Sequence, residues 1–186
     1  MLMALALAVC LAVVPLAGGS FERLARVRFA AAPAIVAAIA IQVVVISLLP
    51  GGAPWLHHAL HVISYALAGW FVWANRRLPG IPLLALGGAM NAAAIVANGG
   101  VMPASRGALR AAGLPADTGS FANSAAVDHP HLAWLGDVFA TPPHLFFSNV
   151  FSAGDVVLVL GALVFVLSAA SARHGGTRPA RASGSR

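Results

Sequence analysis

Apolar residues in this chain fall into five long runs, approximately residues 1–17, 30–49, 56–74, 81–96 and 151–170. None alternates apolar with polar as a half-buried strand does. A helix rises about 1.5 Å per residue, so runs of about twenty residues match a hydrocarbon core roughly 30 Å thick. The breaks between runs are residues that helices avoid. Gly18-Gly19-Ser20, Pro50-Gly51-Gly52-Ala53-Pro54, Pro79-Gly80 and Asn98-Gly99-Gly100 each end or begin one. The pattern predicts an all-α integral membrane protein of five transmembrane helices. A long extracytoplasmic loop, residues 99–150, separates the fourth helix from the fifth and contains a short helix between Ser105 and Ala112. Residues 1–170 form one membrane domain on this reading, and the Gly/Ser/Pro-rich residues 171–186 form a disordered tail.

Composition agrees. Hydrophobic residues make up 60% of the 186 and charged residues 9%, whereas a water-soluble domain carries roughly 25% charge. All eleven basic residues are arginines. Three stand after the first run (Arg23, Arg26, Arg28), two after the third (Arg76, Arg77), four after the fifth (Arg173, Arg178, Arg181, Arg186) and two in the long loop. The positive-inside rule then places the amino terminus outside, the loop outside and the tail in the cytoplasm. A cleaved signal peptide has its charge before the apolar run, and here it follows. The formal charge of +6 is explained by arginines flanking spans, so the expected partner is the bilayer, with anionic lipid at the cytoplasmic arginines and no nucleic acid. Cys10 stands alone within the first run.

Candidate chemistry is confined to a few polar residues. His57, His61 and Tyr65 share one stripe of the third helix, with His58 one turn before His61. In the loop stand Asp128, His129, His131, Asp137 and His144, and the two groups could converge at the outer face. Histidines one turn apart suit a metal pair or a proton relay. They equally suit the headgroup region and interhelical hydrogen bonds, and no closed zinc spacing is present. The metal and any cofactor are left unassigned. Inside the membrane, Asn91 and Asn98 lie on one face of the fourth helix, with Gln42 of the second a candidate partner for Asn91. Ser152 and Asp155 fit a capping box at the start of the last helix. Residues 132–147 are apolar but interrupted by Pro142 and Pro143, which predicts a segment lying in the interface or re-entering shallowly.

The stretch from Asn98 to Ser105 (N-G-G-V-M-P-A-S), followed by Leu135-Gly136-Asp137 and Ser152-Ala153-Gly154-Asp155, resembles an uncharacterised bacterial family of five-helix membrane proteins. The resemblance implies a bacterial plasma membrane protein and no activity. His61 to Gly69 is locally similar to the H-x3-Y-x-L helix of VanZ-like proteins, which implies a role in the envelope or in antibiotic resistance. With no nucleophile–base pair or phosphate loop in the chain, the leading expectation is a non-enzymatic structural, sensory or partner-binding element. The alternatives are an envelope-facing enzyme that uses a metal or handles lipid headgroups, and a small transporter.

Overall fold

The computed structural model describes residues 2–48, 54–115, 124–141 and 148–171. Five long helices occupy the five apolar runs: α1 (Leu2–Leu16), α3 (Ala32–Leu48), α4 (Pro54–Asn75), α5 (Ile81–Ala97) and α7 (Ala153–Ser171). Their starts follow local rules. Pro33 sits in the first turn of α3 and a proline occupies the opening turn of α5, where a missing N–H costs nothing. A five-residue helix that the apolar pattern did not reveal, α2 (Phe21–Ala25), follows α1. It is too short and too polar to register as a period, and Leu24 secures it by packing against Val14, Val166 and Ala170.

The loop between α5 and α7 is not simply a short helix in irregular chain. It contains β1 (Met102–Pro103), the expected helix α6 (Arg106–Ala111), β2 (Ser124–Ala125), a 3-10 turn (Ala133–Leu135), β3 (Asp137–Thr141) and β4 (Asn149–Ser152). β1 pairs in parallel with β2, and β3 pairs antiparallel with β4. The described part of the segment expected to lie in the interface, residues 132–141, is therefore the 3-10 turn and β3; residues 142–147 lie outside the described residues. Ala104, Ala108, Leu109, Ala112 and Val150 give this cap its own small core. The tail, residues 172–186, also lies outside them.

Helix α7 is the hub, with α1, α2 and α5 packed on it, while α3 packs chiefly on α4. The contact of α5 with α7 is backbone on backbone. A Cβ on Gly87 would stand 2.6 Å from the carbonyl oxygen of Gly154, and one on Gly161 would stand 2.7 Å from the Leu84 nitrogen. Gly80 meets the Gly161 carbonyl in the same way and has φ +88. Glycines seven residues apart on each antiparallel helix thus make two points of close approach. Helices surrounded by apolar material gain most of their attraction from such packing.

At one end of the bundle the α3–α4 hairpin is fastened by Asn75, which is 3% exposed. Its Oδ1 accepts from the Ala30 N–H at 2.9 Å, and its Nδ2 donates to the carbonyl oxygens of Ala30 and Phe71, each at 2.8 Å. The neighbouring Phe29 ring lies between Phe71 and Phe165, with centroids 5.6 and 5.5 Å away. That contact joins the hairpin to α7. The Ser20 N–H donates to the Ala170 carbonyl at 3.1 Å, which brings the ends of α1 and α7 to the same place.

Replacing Gly154 or Gly87 by alanine should overpack the crossing and cost about 1–3 kcal/mol. Gly88→Ala, one position along α5 with nothing within 4 Å of its Cβ, should be neutral or stabilising, because alanine favours helix by about 0.5–1 kcal/mol. Thermal unfolding in detergent, followed by retention of the folded peak in size exclusion, checks the contrast.

Candidate functional site: the seam between bundle and cap

The polar residues that the structure brings together lie where the cap meets α5 and α7. Ser152 ends β4 and caps α7. Its Oγ accepts from the Asp155 N–H at 3.0 Å, and the Asp155 Oδ2 accepts from the Ser152 N–H at 3.0 Å, the reciprocal capping box that the sequence predicts. Asn91 completes the arrangement from α5. Its Nδ2 donates to Asp155 Oδ1 at 2.8 Å, and its Oδ1 accepts from the Ser152 hydroxyl at 2.8 Å. With the backbone N–H groups of the capping box, the three side chains close a ring of hydrogen bonds, and the ring fixes which way the amide points. Reversed, Asn91 would set its carbonyl oxygen against a carboxylate. Asp155 is also well placed for the positive end of the helix.

Gly154 explains why the ring can form. A Cβ there would fall 1.9 Å from Asn91 Oδ1, so only glycine lets the amide lie across the opening turn of α7. The S-x-G-D stretch therefore reads as cap, clearance and carboxylate.

Asn98 does for the loop what Asn91 does for the helix. Its Oδ1 accepts from the His131 N–H at 2.9 Å, and its Nδ2 donates to the His131 carbonyl at 2.8 Å and to the Ala94 carbonyl at 2.7 Å. Gly99 and Gly100 take φ +67 and +96, the left-handed ending that N-G-G predicts, and the Gly100 N–H returns to the Ile95 carbonyl at 2.8 Å. Met102 then buries against Ala94 and Leu135. Gly136 passes so close to Pro103 that a Cβ would lie 2.2 Å from the Pro103 carbonyl oxygen. The Ser105 N–H donates to the Asp137 carbonyl at 3.0 Å, and the Ser105 Oγ caps α6 by accepting from the Ala108 N–H at 3.0 Å. The three short motifs, separate in sequence, form one continuous seam.

The other candidates are dispersed. Gln42 does not meet Asn91; its Nε2 donates to Ser64 Oγ at 2.6 Å, between α3 and α4. Asn91 instead turns to α7, because α5 packs there and α3 does not. Tyr65 lies on α4 and lines a groove with Gln42 and Ser64. The side chains of His57, His58 and His61 lie outside the described residues, as does His144. Asp128 accepts from Arg106 at 2.8 Å in an exposed ion pair. His129 is exposed with φ +53, and His131 is exposed and held through its backbone. Asp137 is 4% exposed. Among the described residues no group of three or more His, Cys, Asp or Glu gathers as a metal site would require.

Fold and seam together define a class: a helical bundle whose final hairpin carries a small mixed α/β cap bonded to its helix ends. Within that class, the model of a family of unknown function, DUF5317, matches residues 26–167, and the chain belongs to that family. An uncharacterized protein of Thermotoga maritima is 29% identical over 114 residues, covering 60% of this chain and 64% of the relative. The chain thus aligns with a little under two thirds of that relative's length. No solved structure matches it.

Asn91→Ala would leave the Ser152 hydroxyl and one carboxylate oxygen without their partner. It should cost about 1–3 kcal/mol. In a double-mutant cycle Asn91→Ala and Ser152→Ala should be non-additive, whereas Asn91→Ala and Gln42→Ala should add; chemical unfolding in detergent measures both. Asn98→Ala should instead raise amide hydrogen exchange around residues 128–132 and leave α7 protected.

Proposed function

We propose that this is a multi-pass plasma-membrane protein in which α1, α3, α4, α5 and α7 span the bilayer and the cap is a rigid platform on the outer face. One observation carries the reading: every long helix turns large aliphatic side chains outward. Leu7, Val36, Val62, Leu86 and Leu160 are 48%, 64%, 66%, 52% and 49% exposed. Water would oppose such a surface, and hydrocarbon would not. Helix α7 is long and apolar enough to cross a membrane, and only 22% of its apolar window is buried within the chain, unlike the core helix of a soluble protein. The other long helices contain shorter apolar stretches, Met3–Leu16, Ala32–Val44, Val62–Asn75 and Ile81–Ala97. Arg23, Arg26, Arg28, Arg76 and Arg77 stand in the segments at the end away from the cap, which is the cytoplasmic side by the positive-inside rule.

The platform serves as a structural or partner-binding element. Supporting this, the polar groups of its motifs are engaged with one another and with helix ends, which makes a fixed surface.

Cys10 is the single cysteine, so Cys10→Ser gives a clean background for Gly107→Cys in the cap and Pro79→Cys at the arginine end, both exposed. A membrane-impermeant maleimide applied to spheroplasts should label Gly107→Cys at once and Pro79→Cys only after permeabilisation. The reverse pattern would reject the orientation, and equal labelling of both in intact spheroplasts would reject the spanning arrangement.

A further inference from the structure

The two ends of the bundle differ in more than the presence of a cap. Of the five acidic residues in the chain, Asp128 and Asp137 belong to the cap and Asp155 to the opening turn of α7, while Asp117 falls in the sequence between α6 and β2, outside the described residues. Glu22 alone stands among the arginines of the other end, and Arg26, which ends α2, takes it at 2.5 Å. Arg23, Arg28, Arg76 and Arg77 have no carboxylate partner among the described residues, where the ion pairs are Arg26–Glu22 and Arg106–Asp128. Among the described residues, the one carboxylate at this end cannot neutralise its arginines.

Arg23 is the sharpest case. Its Nε is buried and has no hydrogen-bond partner, and its Nη2 reaches only the Gly18 carbonyl, at 3.5 Å. A buried donor on a cation is costly when left unpaired. In the stretch that follows it, Ala25, Arg26, Val27 and Arg28 line a cavity of about 410 Å³. The Ala30–Asn75 bonds bring Arg28 beside the Arg76–Arg77 corner, where Arg76 lies over the Trp73 ring, 4.4 Å from its centroid. Guanidinium groups present paired donors that match phosphate oxygens, and tryptophan is at home at headgroup depth.

We infer that the arginine end binds the phosphate headgroup of an anionic phospholipid, with Arg23 and Arg28 as its principal donors. The inference rests on the spanning arrangement proposed above, because it places this end at a membrane surface. Helix α3 begins at Ala32, four residues after Arg28, so a phosphate held by Arg28 leaves its acyl chains free to run along the apolar helices. A lipid supplies in one molecule the anion that the arginines lack and the hydrocarbon that the helix faces require.

The test uses the full chain reconstituted in nanodiscs of equal phosphatidylglycerol and phosphatidylcholine. Native mass spectrometry then counts each lipid retained after mild release. Phosphatidylglycerol should be enriched over phosphatidylcholine, and Arg23→Gln with Arg28→Gln should reduce the enrichment by about fivefold per arginine removed. Arg23→Lys with Arg28→Lys should keep part of it, and Arg106→Gln with Arg110→Gln in the cap should leave it unchanged. Equal retention of the two lipids by the unaltered chain, which needs no variant to fold, would overturn the inference. So would loss of the lipid to low-millimolar inorganic phosphate, since the site would then be one for free phosphate. The spheroplast labelling of Pro79→Cys described above separates the two proposals: reversed labelling with the enrichment intact would reject the orientation and keep the lipid site.

Discussion

The close crossing of α5 and α7 is the contact on which the rest of the molecule depends. Gly80 and Gly87 on one helix face Gly161 and Gly154 on the other, and seven residues is nearly two full turns, so both contacts fall on the same face of each helix. Two contacts fix a line, where one would allow a swivel. Once the line is fixed, Asn91, one turn beyond Gly87, has to lie over the first turn of α7. Its amide then finds a cap that already needs a donor and an acceptor. The polar ring is a consequence of the glycine contact, and it locks the register that the glycines permit.

Register at that point governs the cap. β4 runs into α7 without a connecting residue, so Ser152 is at once the last residue of a strand and the cap of a helix. Any shift of α7 against α5 would move β4, hence β3 and the 3-10 turn paired or packed with it. On the other side, Asn98 ties the end of α5 to His131, and Pro103 lies against Gly136. The cap is held from both helices of the hairpin it interrupts. Such a double attachment limits the entropy of a loop of some fifty residues, whose closure cost grows only slowly with length while its internal freedom grows with every residue.

Long-range pairing was the part of this structure that sequence could not supply. The five helices were legible because apolar runs and their Pro/Gly breaks are local. So were the caps at Ser105, Asn98 and Ser152, whose partners stand within a few residues. Gln42 and Asn91 are each polar in an apolar helix, and periodicity says that each needs a partner without saying which. Contact with α4 gave Gln42 to Ser64, and contact with α7 gave Asn91 to Asp155. Asn75 was hidden for another reason. Beside Arg76 and Arg77 it reads as a polar helix end, yet it is nearly inaccessible and pairs with the backbone of Ala30, 45 residues earlier. The short strands of the cap have two to five residues each and no alternation long enough to register.

The α3–α4 hairpin belongs to the bundle on different terms from the rest. It is joined internally by Gln42–Ser64 and by the Asn75 clasp, and it meets α7 through the Phe29 stack at a single end. The α5–α7–cap unit, by contrast, is bonded along the crossing and again at the seam. Local stability follows the density of such contacts, so the hairpin, which also touches α5 through α4, is the more sparsely attached of the two units. The clasp and the Phe29 stack lie at the arginine end, so the attachment of the hairpin to α7 stands beside the charges instead of beside the cap.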